Sequence, residues 1–249
     1  MDQGLGELRL PENVRASLAT LVADLERAAG PTLVGVVLYG GLARGRYRPG
    51  QSDVNVLIVL REGGLAGFDA VAPVLRAAWR KDRVDPLVMA VGELQRAAEE
   101  FPVKFLDIRR THVLLAGSDP LAGLEIPDRL VRHRLGQELN NLTLRLRRRY
   151  VLEHDDLGEV ARMLAGSAMP LCVQLEALLE VDGRPPARDD CTAVFDAAAE
   201  SYALDRGTLA ELEALRRGDG VPDPRALLGQ TLVLIQTVLE AARPKGVSP

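Results

Sequence analysis

Two short, strongly apolar runs, TLVGVVLY over residues 32–39 and VNVLIVL over residues 54–60, lie close together in the chain, and Gly40 and Gly41 directly follow the first. Both are rich in β-branched residues and too short for a buried helix, so both read as buried strands. A chain holding such a pair is committed to building a sheet. Pro11 opens a helix before them whose apolar positions Val14, Leu18, Leu21, Val22 and Leu25 keep a helical period, and Gly30-Pro31 ends it. A helix over GLAGFDAVAPVLRAAWRK follows the second strand. DPLVMAV and KFLDIRRTHVLLAG then read as two more strands, separated by the short helix GELQRAAEE. The expected order is α, β, short α, β, α, β, short α, β.

From about Pro127 the pattern changes and every long segment has helical periodicity, with Leu135, Leu139, Leu142 and Leu146 marking one apolar stripe. Helix starts are signalled at DLGE (Asp156 to Glu159) and TLAE (Thr208 to Glu211), each a capping residue with Glu three later, and at Asp223-Pro224. Pro170 is expected to kink or split its helix, and VDGRPPARDD reads as an extended loop. The expected fold class is α/β (α+β): a small mixed sheet with helices over residues 1–125, then an all-α helical bundle over residues 126–249, with four or five helices packed against the sheet domain.

The chain has 249 residues, 47% of them hydrophobic, which is ample for real cores. Lys and Arg total 31 against 35 acidic residues, and the formal charge of -4 offers no bulk attraction for nucleic acid or an anionic membrane. Cys172 and Cys191 lack metal-ligand spacing, and no basic start followed by an apolar run points to secretion. Reduced thiols and a cytoplasmic location are expected. The apolar stretches are read as falling short of the roughly 20 residues of a membrane-spanning helix, so no membrane partner is expected.

A strand that ends in Gly-Gly lets the backbone approach a ligand closely and aims free N–H groups at it, which suits a phosphate. On the next strand Asp53 and Asn55 stand two apart, so both leave one face, about 6.6 Å apart along the backbone. Two oxygen donors on one face can clasp Mg²⁺ beside a triphosphate. These residues resemble the nucleotidyltransferase superfamily that includes DNA polymerase β and the aminoglycoside nucleotidyltransferases. The signature of that superfamily is an apolar strand, Gly-[Gly or Ser], a short spacer, then Asp-apolar-[Asp or Glu]-apolar. Here the match is YGG, eleven intervening residues that include LARG, then SDVNV. It covers roughly the first 120 residues in motif and element order, and the helical second half is similar in layout to the aminoglycoside enzymes.

The resemblance implies that Gly40 and Gly41 contact nucleotide phosphates, that Asp53 is the first metal ligand, and that Asn55 stands where the second carboxylate belongs. For a third carboxylate it offers Asp85, beside Pro86 in RVDPLVM, with Asp107 in KFLDIRR as the rival. It implies an NTP, ATP foremost, as partner, Mg²⁺ as cofactor, and transfer of a nucleoside monophosphate to an unidentified acceptor with release of pyrophosphate. Asn55 keeps a carbonyl oxygen but removes a full negative charge. The alternative is therefore a catalytically impaired nucleotide-binding regulatory or interaction protein. A third reading makes the fold a scaffold whose bundle mediates homo-oligomerisation.

Arg44, Arg46 and Arg48 follow the glycine turn as candidate phosphate ligands, Arg44 foremost because ARG recurs in the resembled motif. RLRRRY (Arg145 to Tyr150) reads as a solvated helix face. His112, His133 and His154 have no metal-like spacing, and RHR (Arg132 to Arg134) does not match the Arg-to-His spacing of helical ribonuclease domains. Asp155, Asp156, Glu138 and Glu153 are the acidic residues of the second half that a general-base role leaves open.

Overall fold

The computed structural model describes residues 10–45, 52–188 and 190–243. Helix α1 (Glu12–Ala29) buries Val14, Leu18, Leu21, Val22 and Leu25, the stripe its spacing marks out, and stops at Gly30. Strand β1 (Leu33–Tyr39) pairs antiparallel with β2 (Val54–Leu60). Helix α2 (Leu65–Asp82) then carries the chain over to β3 (Val84–Ala90), which runs parallel to β2. Helices α3 (Leu94–Glu100) and α4 (Pro102–Thr111) lead to β4 (Val113–Gly117), antiparallel to β1. The strand order is β3-β2-β1-β4, a mixed sheet with β3 at one edge, where Pro86 costs no ladder hydrogen bond to a further strand.

Alternation fixes the two faces of this sheet. Val36, Leu38, Val56, Ile58 and Val84 share one buried cluster with α1 and α2. The alternate residues Val37, Leu57 and Val59 point the other way and are also fully buried. Closer to the strand ends that second face carries Tyr39, Asn55 and Asp85.

Two local expectations fail here. KFLDIRR is helical, not extended: Pro102 occupies the first turn of α4, and Pro102, Phe105, Leu106 and Ile108 are buried at a helical spacing. The Leu106-Asp107-Ile108 alternation is too short to tell the two periods apart, and the strand begins only at Val113. The short helix expected after β1 is instead a hydrogen-bonded turn over residues 40–45, with Arg44 N–H donating to the Gly40 carbonyl at 3.2 Å and Gly45 N–H to the Leu42 carbonyl at 3.0 Å. Leu42 is fully buried and pins the turn to the core.

The chain divides into two compact units, Met1–Ile126 and Pro127–Pro249. In the second, α5 (Asp128–Glu153), α6 (Leu157–Val181), α7 (Cys191–Tyr202), α8 (Arg206–Arg217) and α9 (Pro224–Ala241) form a bundle with α6 at its centre, packed against the other four. The expected α/β (α+β) class, a small mixed sheet with helices followed by an all-α bundle, is the fold observed. Leu135, Leu139, Leu142 and Leu146 are buried along α5.

Asp156 and Asp223 cap α6 and α9 as their motifs indicate. The cap of α8 is Asp205 and not Thr208, because Asp205 accepts from both the N–H and the hydroxyl of Thr208, which lies inside the first turn. Helix α6 runs unbroken through Pro170. It is also long and apolar enough by composition to cross a membrane, contrary to the sequence reading. Leu164, Leu171, Leu175 and Leu178 on it are wholly buried within the bundle, which is how a core helix acquires that composition.

Candidate functional site

The ladder between β2 and β3 builds the site. Asn55 stands opposite Asp85 in the parallel register, and the Val54 N–H donates to the Arg83 carbonyl at 3.0 Å. Arg83 is thereby set beside Asp53, one position ahead of the Val54 and Val84 pair. Arg83 closes α2 in the left-handed conformation, φ 55°, and its guanidinium reaches Asp53, with Nε and Nη2 both donating to Oδ1 at 2.9 and 2.8 Å. The Asp53–Arg83 ion pair just ahead of the ladder and the Asn55–Asp85 pair within it thus stand two residues apart along the two chain segments.

On the other side of β2, Tyr39 pairs with Asn55 in the antiparallel register. Tyr39 is 9% exposed, and its hydroxyl pKa is raised, first by burial and then by the negative charge of Asp85. The three strands therefore present Tyr39, Asn55 and Asp85 as one row. The glycine turn leaves β1 immediately beyond Tyr39. Gly40 has φ 74°, a conformation that favours glycine, and a Cβ there would lie 2.8 Å from Asn55 Nδ2, so that amide would have to shift. At Gly41 a Cβ would meet nothing within 4 Å.

The structure brings Gly40, Gly41, Asp53, Asn55 and Asp85 together at one end of the sheet. The Arg44 side chain is 7% exposed and ion-paired with Asp107. The same Asp107 carboxylate lies 3.9 Å from Arg110. Asp107, carried on α4, is the anchor of the turn's arginine and not a strand residue beside Asp53. Arg46 and Arg48 lie outside the described residues. Among the described residues no group of three His, Cys, Asp or Glu side chains could hold a metal ion, so the face offers two carboxylates and one amide where the resemblance implies three carboxylates.

Arg83 is the residue of the site that sequence reasoning missed. Its partner is 30 positions away, and only the β2 to β3 register, set after the intervening α2, brings them together. Elsewhere, Arg132 of the RHR run is buried and paired with Asp182 at 2.5 Å, and Tyr202 donates to the same carboxylate at 3.0 Å, a structural role. Arg149 pairs with Glu159, Glu138 pairs with Arg134, and Asp156 serves as a cap, while Arg145, Arg147 and Arg148 are exposed on α5.

No family model matches this chain, and no curated protein sequence matches it. Among solved structures the chain is similar to spectinomycin adenyltransferase AAD(9) from Enterococcus faecialis, solved with ATP and spectinomycin, at 15% identity over 89% of this chain and 99% of that one, with a TM-score of 0.49. It is also similar to the Elizabethkingia meningoseptica CdnE cyclic dinucleotide synthase, solved with GTP and Apcpp, at 12% identity over 91% of this chain and 90% of that one, with a TM-score of 0.24.

Proposed function

We propose that this protein binds an NTP, ATP foremost, against the Gly40-Gly41 turn and transfers the nucleoside monophosphate to an acceptor, releasing pyrophosphate. One observation carries the reading: the glycine turn leaves β1 directly beside the face that bears Asp53, Asn55 and Asp85, with Asn55 lying against Gly40. Backbone N–H groups of the turn bind phosphate, and the open space at Gly41 lets phosphate oxygens approach the main chain. Arg44, tied to Asp107, holds the turn in place.

The donor set suits one Mg²⁺. Asp53, Asp85 and the Asn55 carbonyl would hold it, with nucleotide phosphate oxygens and water completing the hard-oxygen shell that this ion demands. Once bound, it supplies charge stabilisation to the phosphates. The set does not suit a pair of divalent ions, because one of the three expected carboxylates is an amide and a second is already neutralised by Arg83.

Those two facts favour a second reading, a nucleotide-binding regulatory or interaction protein with little turnover. Pyrophosphate release from labelled ATP, assayed with candidate acceptors of antibiotic, protein, RNA-end and small-metabolite classes, separates the two. Turnover by the native protein supports the transferase. Turnover that appears only in Asn55→Asp supports the impaired nucleotide binder.

A further inference from the structure

We propose that Arg83 is a built-in counter-ion that competes with a divalent cation for Asp53, so that metal and nucleotide enter this site together and the metal alone binds weakly. The inference deepens the nucleotide-binding reading and rests on it for the nucleotide half.

Three features of the structure carry it. Arg83 does not meet Asp53 by chance of a long surface side chain, because the Val54 N–H to Arg83 carbonyl bond fixes the two backbones side by side at 3.0 Å. The guanidinium is delivered from a left-handed residue at the end of α2, a conformation that costs a bulky side chain backbone strain. Both Nε and Nη2 converge on one oxygen, Oδ1, of the carboxylate that the site would offer a metal. Among the described residues, with Asn55 neutral, Asp53, Asp85 and Arg83 leave the face a single net negative charge, too little to draw a free divalent ion strongly.

A triphosphate changes this balance. Phosphate oxygens offer the guanidinium a better, bidentate partner than one carboxylate oxygen. The Arg83 side chain is 55% exposed, so it can swing to a phosphate without disturbing packing. Asp53 is then released at the moment the nucleotide arrives. Binding of the two ligands is coupled through one arginine, and by linkage the coupling is reciprocal.

Asn and Gly tolerate the left-handed conformation, so Arg83→Asn and Arg83→Gly remove the guanidinium while keeping the end of α2. Mn²⁺ binding followed by electron paramagnetic resonance, with circular dichroism to confirm folding, gives the test. Both variants are expected to bind Mn²⁺ in the absence of nucleotide at least about fivefold more tightly than the native protein, at the low end of ordinary coupling factors. Asp53→Asn in the Arg83→Asn background is expected to abolish the gain. Unchanged or weaker Mn²⁺ affinity in the folded Arg83 variants overturns the competition, as does a gain that survives loss of Asp53. ATP titration of the same proteins is read separately. Tightened Mn²⁺ binding without any ATP binding keeps the competition and removes the nucleotide reading; ATP binding with unaltered Mn²⁺ affinity does the reverse.

Discussion

Gly40 and Gly41 are adjacent and chemically identical, yet their surroundings give them different duties. Gly40 has φ 74° and Asn55 Nδ2 stands 2.8 Å from where its Cβ would be, whereas Gly41 faces open space. Gly40→Ala should therefore destabilise the protein by about 1–2 kcal/mol through a left-handed alanine alone, seen as a lower urea midpoint. Gly41→Ala should leave the midpoint where it is. Asp53, Asn55 and the glycine turn were all legible in the sequence, because a strand's period of two and a Gly-Gly punctuation are local signals. Arg83 was not. A register between strands separated by a helix depends on how α2 packs, and no local pattern records that.

The number of repeats a pattern runs through separates the elements that are legible in the sequence from those that are not. The strongly apolar strands β1 and β2 and the long stripes of α1 and α5 repeat their pattern over enough residues to be unambiguous. Helix α4 is ten residues long and its apolar positions begin with a proline, so KFLDIRR holds too few repeats to separate a helical period from a strand's. The cap of α8 is ambiguous in the sequence for a related reason: Thr208 fits a capping box, but Asp205 has the charge and takes both of Thr208's donors.

A charged pair deeper in the bundle has a consequence for stability. Glu213 is 4% exposed and accepts from Arg216 Nε and Nη2 at 2.6 and 2.7 Å, and this pairing, opposed by burial, lowers its pKa from the ordinary 4.5. Its contribution is fully present above that ordinary value and is lost as pH falls through the lowered folded value. Melting temperature measured across the acid range should fall more steeply for the native protein than for Glu213→Gln.

Each of the two compact units has its own buried core, and composition alone conceals how differently they use it. In the helical unit α6 reads as a membrane span by hydropathy, and its burial against four neighbours accounts for that reading. In the sheet unit the chain's modest charge of -4 says little, because the charges that matter are three side chains on one face. Everything proposed for this protein rests on a nucleotide lying against the turn beside that face. Calorimetric titration of ATP with Mg²⁺ into the native protein and into Gly41→Val tests this most directly, since the space at Gly41 lets valine fold but not leave room for phosphate. Binding by the native protein is expected, with a loss of at least about tenfold, 1.4 kcal/mol, in a variant of unchanged melting temperature; equal affinity in the two proteins, or no binding of any NTP to the native one, would rule out a nucleotide at the turn.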